Sequence, residues 1–282
     1  MPSPSLQEIC ALFGQPVAGN PTQFMIEKAF AQHGLEWRYL TLEVAPHDLA
    51  DAVRGMRAMG FRGGNITKPH KVAVIELVDR LSDAAARMGA VNCIVREGNE
   101  LVGENTDGKG FIESLRGVTD PAEKRVVLLG AGGAARAIGV ELALAGAAAI
   151  TVVNRTVDRG QQLVDMLHAN GAVSATLAIW EGEFVVPAET QVLVNATSIG
   201  LNDPEARVPV KFDACPPGLV VADVVVSPPD TRFLAEAKAH GATTLDGLGM
   251  IVNQGAIGFK LWTGVDPDKT IMREAVEEFL GL

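Results

Sequence analysis

Cysteine is scarce in this 282-residue chain: Cys10, Cys93 and Cys215 are widely spaced and odd in number. That usage excludes a disulfide framework and a Cys-x-x-Cys metal site, and it suits ordinary thiols in a reducing cytoplasm. Positive charge is in deficit, with 24 Lys and Arg against 34 Asp and Glu, a formal net charge of −10. Nucleic acid is therefore not expected as a partner. The same deficit makes any local cluster of cations more telling, because an anionic ligand must be held against the overall field. No basic region followed by an apolar stretch opens the chain, so no signal peptide is expected. The longest apolar region, 137–153, is interrupted by Glu141, so no membrane span is expected. Repeats and low-complexity segments are lacking. The histidines are scattered: His33, His47, His168 and His240 read as solvated, His70 as a packing residue, and no His/Cys/carboxylate spacing suggests a metal. What remains is an ordinary soluble composition, 48% hydrophobic and 21% charged, long enough for two domains.

The segment 125–159, RVVLLGAGGAARAIGVELALAGAAAITVVNRTVDR, organises the chain. Val126 to Leu129 is an apolar run of the length of a buried parallel strand. Gly130, Ala131, Gly132, Gly133, Ala134 and Ala135 follow and fit G-x-G-x-x-G/A. An alanine- and leucine-rich helix is expected over 134–145, then a second strand over 149–153. Together they form a βαβ unit. Gly130 permits the tight turn, Gly132 lets backbone approach a pyrophosphate, and a small Ala135 lets helix pack closely on strand. The helix N-terminus offers free N–H groups to phosphates.

The tip of the second strand selects the dinucleotide. An NAD site usually places Asp or Glu there, about 20 residues past the glycines. This chain has Asn154, Arg155 and Thr156, with Arg159 shortly after. Guanidinium groups suit a 2′-phosphate, so the cofactor read from these residues is NADP.

Along the chain, strands are expected over 9–13, 37–44, 61–67, 90–96, 192–195 and 219–226. Helices are expected over 24–33, 46–59, from Val72, over 82–89, 110–115, 233–239, 253–261 and 269–280. Polar residues concentrate at strand ends: Asn65, Thr67 and Lys71, then Asn92, then Asn105, Thr106 and Asp107. A lysine with an aspartate suits alcohol oxidation or carbonyl reduction, the amine moving a proton to or from the oxygen while the carboxylate favours the ammonium form.

These residues resemble the shikimate/quinate dehydrogenase family. The matching segments are Gly14-x-Pro16, Gly64-Asn65-Ile66-Thr67-x-Pro69-x-Lys71, Gly89-Ala-Val-Asn92, Asn105-Thr-Asp107-Gly108, GAGGA at 130–134, NRTxxR at 154–159, Asn195-Ala-Thr197-Ser198-x-Gly200, and Asp246-Gly247-Leu-Gly249-Met250 with Gln254. They run in order over nearly the whole chain. The resemblance implies an α/β fold of two α/β domains. An N-terminal substrate domain, 1–106 with 255–282, precedes a Rossmann NADP domain, 107–254, and the last helix returns to the first domain. It implies Lys71 and Asp107 as the catalytic pair, and Asn20, Thr22, Thr67, Asn92, Asp107 and Gln254 around the substrate. It implies that Gly130 to Ala134, Asn154 to Thr156, Arg159, Thr197, Ser198, Val224 and Gly247 line the cofactor path. The implied activity is NADPH-dependent reversible reduction of 3-dehydroshikimate to shikimate, in a cytoplasmic monomer or homodimer. Two rivals stand beside it: the same chemistry on quinate or an amino-substituted shikimate, and an NADP(H)-binding regulatory protein without turnover.

Four positions depart from the family pattern, one of them Lys68, which stands where an apolar residue is often found. Asn20 stands where a serine is usual, Gln23 where proline is usual, and Val226 where a tyrosine is usual. Asn20 and Val226 replace hydroxyls expected near the substrate, so the chemistry is better specified than the substrate.

Overall fold

A computed structural model describes residues 6–170, 174–213 and 216–282. Cys215 lies outside the described residues. The chain divides into two compact units, one of 1–106 with 254–282 and one of 107–253.

The first unit opens with β1 (Ile9–Gly14), α1 (Thr22–Gln32), β2 (Arg38–Glu43), α2 (Leu49–Ala58) and β3 (Gly63–Ile66). β4 (Arg80–Leu81), α3 (Asp83–Met88), β5 (Cys93–Glu97) and β6 (Glu100–Glu104) follow. The strands form one sheet in the order β2-β1-β3-β5-β6-β4. β5 runs antiparallel to both β3 and β6, and the other pairs are parallel. This inserted strand matters for position: its first residue lies beside the last residues of β3 and β6. Asn92, just before β5, therefore meets Ile66 at the end of β3 and Glu104 and Thr106 at the end of β6. Ala11, Phe13, Val53, Met56, Ile66, Ile94 and Leu101 form the core beneath.

The expected helix from Val72 is instead a short 3-10 turn at Ala73–Leu77. Val72, Val74, Ile75 and Val78 are β-branched and crowd an α-helical turn.

The second unit begins with α4 (Asp107–Arg116), three residues earlier than the sequence suggests. Gly108 and Gly110 weaken helical propensity there, but both are buried in packing. β7 (Arg125–Leu129), α5 (Gly133–Leu144), β8 (Ala149–Asn154), α6 (Val157–Ala169), β9 (Ser174–Ile179), β10 (Phe184–Val185) and β11 (Val192–Asn195) come next. Then come β12 (Val210–Lys211), β13 (Val220–Asp223), α7 (Arg232–Ala239) and β14 (Thr243–Leu245). Six strands pair in parallel in the order β14-β13-β11-β7-β8-β9, and β10 pairs with β12. The order reverses at β7, the doubly wound arrangement in which ligands bind at the carboxyl ends of the strands. β7 is buried from Val126 to Leu129, as a strand covered on both faces must be.

β13 ends at Asp223 rather than running to 226, because the Asp223 carboxylate accepts the Val225 N–H at 3.0 Å and closes a turn. α6, β9 and β14 carry no expectation from the sequence. α8 (Leu248–Thr263) starts five residues before the expected point, its Leu248 N–H capped by the Asp246 carboxylate at 3.0 Å. α9 (Lys269–Leu280) belongs to the first unit and packs on α1.

Candidate active site

In the first unit, the β3 end is tied down on both sides. Thr67 donates its backbone N–H to the Phe13 carbonyl at 2.9 Å, and Ile66 donates to the Asn92 carbonyl at 2.8 Å. Lys71 follows one turn later, half-buried, with its carbonyl accepting the Val91 N–H at 2.7 Å. His70 is buried beside it, and its Nε2 lies 2.8 Å from the Val44 carbonyl, which makes it a packing residue. A methyl group on Gly14 would collide with the Thr67 side chain at 2.3 Å, so the glycine lets that threonine sit close to β1.

Asn92, Thr106 and Gln254 form a buried polar cluster. The Asn92 carboxamide oxygen accepts the Thr106 N–H at 2.7 Å, and its Nδ2 donates to Thr106 Oγ1 at 3.0 Å. Gln254, on α8, accepts from Thr106 Oγ1 and from Asn65 Nδ2, both at 3.4 Å. Buried polar groups persist only when partnered, so this cluster holds its members in defined orientations.

Asn20 closes a turn ahead of α1. Its Oδ1 accepts the Thr22 N–H at 2.9 Å, an Asx turn leading into α1, with Thr22 itself buried. Gln23, in the position where proline is usual, accepts the Thr41 N–H at 3.0 Å and ties α1 to β2. Val226 is half-buried.

In the second unit, the ends of β7, β8 and β11 surround a cavity of about 320 Å³. Gly130, Ala131, Gly132, Asn154, Arg155, Thr197 and Ser198 all line it. Gly130 has φ +102°, and a Cβ there would press on Thr197 and on the Ala196 carbonyl. A Cβ at Gly132 or Gly133 would meet nothing within 4 Å, so this backbone faces open space. An anion could therefore approach the N-terminal turn of α5, where the helix has unpaired N–H groups. Gly133 and Ala134 form that turn. The β8 tip is shaped by the Asn154 side chain, whose Nδ2 donates to the Thr156 carbonyl at 2.8 Å. Arg155, Thr156 and Arg159 are exposed around it; Asn154 to Thr156 include no carboxylate, and Asp158 follows in the first turn of α6. These residues fit a dinucleotide carrying a 2′-phosphate. Val224 and Gly247 lie together beyond the end of β13, a Cβ on Gly247 falling 3.0 Å from Val224, and they do not line this cavity.

Asp223 is the buried carboxylate of this unit. It accepts from Asn195 Nδ2 at 3.0 Å and from Thr231 Oγ1 at 2.8 Å. Burial pushes its pKa up, and the hydrogen bonds oppose that shift. Asn195 in turn accepts from Thr197 Oγ1 at 2.7 Å, so the 195–199 loop is held from below.

Trp180, Ala196 and Ile199 also line the cavity, and the sequence did not point to them. Trp180 follows β9, and the N–H of Trp180 donates to the Asn154 carbonyl at 3.1 Å. One of only three tryptophans in the chain, placed shortly after an alternating run, was the available signal. Among the described residues, no group of three or more His, Cys, Asp or Glu could hold a metal ion, and no helix is long and apolar enough to cross a membrane.

Three family models match this chain. They are described as shikimate dehydrogenase substrate binding domain over residues 12–94, shikimate / quinate 5-dehydrogenase over 114–198, and shikimate 5'-dehydrogenase C-terminal domain over 247–277. A curated relative, the shikimate dehydrogenase (NADP(+)) of Moorella thermoacetica, is 41% identical over 97% of this chain and 94% of its own. The ligand-free 5-ketofructose reductase of a Gluconobacter species is 48% identical, with a TM-score of 0.94, covering 97% of this chain and 99% of that one. The shikimate 5-dehydrogenase of Thermus thermophilus, in complex with NADP(H) and shikimate, is 36% identical, with a TM-score of 0.86, covering 97% and 100%.

Proposed function

The chain belongs to the shikimate dehydrogenase family, and from that premise we propose that it is an NADP-dependent oxidoreductase that reversibly reduces 3-dehydroshikimate, or a close analogue, to shikimate. The observation that carries the cofactor half is the glycine-lined cavity under a β8 tip that bears Asn154, Arg155 and Thr156 in place of a carboxylate, with Arg159 close behind. The substrate half rests on similarity to shikimate dehydrogenases over 94–97% of both chains.

We propose the first unit as the substrate domain and the second as the NADP domain. Gly130 to Ala134 would hold the pyrophosphate, Arg155, Thr156 and Arg159 the 2′-phosphate, and Thr197, Ser198, Val224 and Gly247 the path toward the nicotinamide. When bound, NADPH supplies a hydride to the ring carbonyl carbon. Lys71 Nζ gives a proton to the carbonyl oxygen as it becomes an alkoxide, and takes the hydroxyl proton in the reverse direction. Asp107 is the second member of the proposed catalytic pair. Thr22, Thr67, Asn92 and Gln254 orient the substrate hydroxyls and carboxylate. We further propose a cytoplasmic monomer or homodimer without a nucleic-acid partner.

A second reading is favoured by a specific observation. The chain is 48% identical to a 5-ketofructose reductase, and the Asn20 Oδ1 that replaces a serine hydroxyl is engaged with the Thr22 N–H. An uncharged polyol carbonyl needs no carboxylate partner at that position.

The test is nicotinamide turnover with shikimate, quinate and 5-ketofructose in parallel, with Lys71→Ala alongside. Turnover of shikimate, reduced about 10²- to 10⁴-fold in the variant, supports the first reading. Turnover confined to 5-ketofructose selects the second. An unaffected Lys71→Ala removes the lysine from the chemistry.

A further inference from the structure

Tyr39 is the single tyrosine of the chain and is completely buried. It lies on β2, outside every group assigned to the site. Its hydroxyl passes β1 to reach Asn65 on β3, where it donates to Oδ1 at 2.7 Å. Trp262 packs against the phenol ring, with ring centroids 5.9 Å apart. Burial holds the phenol well above its ordinary pKa, so it remains a neutral donor.

The hydrogen bonds that follow have one consistent direction. With Oδ1 taken by the phenol, Asn65 turns Nδ2 toward the Asn92 carbonyl at 3.3 Å and toward Gln254 Oε1 at 3.4 Å. Thr106 Oγ1, which accepts from Asn92 Nδ2, has a single proton that it shares between Asn92 Oδ1 at 3.3 Å and the same Gln254 oxygen at 3.4 Å. Asn65 Nδ2, its direction set by the phenol, therefore fixes Gln254 Oε1 as an acceptor facing the cluster. The opposite rotamer would set Nε2 against Asn65 Nδ2, donor against donor. Gln254 is thus held with its NH₂ end, not its carbonyl end, turned away from the cluster.

We propose that Tyr39 is a positioning residue for the reaction: through Asn65 it locks the Gln254 carboxamide so that Gln254 meets the substrate as a hydrogen-bond donor. This rests on Gln254 being a substrate ligand, as proposed above. Removing the phenol oxygen leaves Asn65 Oδ1 buried without its donor, and the carboxamide pair is then free to reorient.

The experiment compares Tyr39→Phe, Gln254→Ala and the double variant, using whichever substrate the wild type turns over. Tyr39→Phe is expected to raise KM for that substrate about three- to tenfold, with kcat and the NADP KM nearly unchanged. With Gln254→Ala already present, the same change is expected to have no further effect on KM. An unchanged KM, or an equal rise in both backgrounds, overturns the proposal. A readout independent of turnover is the Gln254 side-chain amide NMR signal, assigned by its loss in Gln254→Ala. It is expected to shift and broaden in Tyr39→Phe, and an unmoved signal overturns the proposal. Absence of turnover on every substrate would defeat the functional reading, and the amide signal would still decide the role of Tyr39.

Discussion

Replacing Arg155 by alanine separates the 2′-phosphate from the rest of the cofactor. The side chain is exposed at the β8 tip, on a turn closed beneath it by the 2.8 Å bond from Asn154 Nδ2 to the Thr156 carbonyl. Alanine leaves that turn intact, so the change removes a cation and little else. A hydrogen bond to a charged group is worth about 1.5–3 kcal/mol. Exposure to water and salt puts this one at the low end, which is about tenfold in kcat/KM. Arg159 sits in the first turn of α6, where a cation opposes the helix dipole, so helix stability gives no reason for it to be there. Its removal is expected to cost a similar factor, and the double variant about a hundredfold if the two act independently. The assay is kcat/KM with NADP⁺ and with NAD⁺, each at low and high ionic strength. The NADP⁺ value is expected to fall while the NAD⁺ value holds, and the wild-type preference is expected to shrink as salt rises. A parallel loss with both cofactors would refute the argument, because the arginine would then be serving the part of the dinucleotide they share.

Two glycines in helices are expected to respond in opposite ways to alanine. At Gly108 the added Cβ would fall 2.3 Å from the Ala137 carbonyl oxygen, where α4 and α5 touch, and a cost of about 1–3 kcal/mol in thermal or chemical unfolding is expected. At Gly55, within α2, the nearest atom is the flexible end of Met59 at 3.5 Å, and a gain of about 0.5–1 kcal/mol is expected. Asp223→Asn tests the buried carboxylate. An acid whose folded pKa is raised contributes stability that is full below its unfolded value, about 4, and is lost as pH rises through the folded value. Wild type is therefore expected to lose Tm relative to the variant as pH rises from about 4 toward neutrality, and the reverse trend would show that the hydrogen bonds outweigh burial. Cys10 and Cys93 are buried, and burial pushes the Cys10 thiol pKa up. Both are expected to react with a thiol reagent only as fast as the protein unfolds.

The βαβ unit could be read from the chain because its determinants are local. Glycines, a small residue at Ala135, and two apolar runs lie within thirty-odd residues, and each acts through its own backbone or nearest neighbours. The arginine tip is local for the same reason. The 3-10 turn after Lys71 and the early starts of α4 and α8 were harder to read. Each depends on a contest between weak propensities that packing or a single cap decides, such as the Asp246 carboxylate at the head of α8. The departures at Asn20 and Gln23 were visible as departures, but their work as a turn ahead of α1 and a tie to β2 was not.

By itself the sequence determined which residue types stand at the strand ends: three asparagines, a lysine, an aspartate, a glycine cradle and a pair of guanidinium groups. Tertiary structure alone decided which of them meet. Asn65 and Gln254 are 189 positions apart, and Tyr39 and Asn65 are separated by 26 positions and by the strand between them. A carboxamide has two chemically opposite ends, and the end it presents depends on the donors and acceptors that converge on it. Those partners come from β2, β3, the approach to β5, the end of β6 and α8, so the orientation exists only once the sheet and the helix have assembled around it.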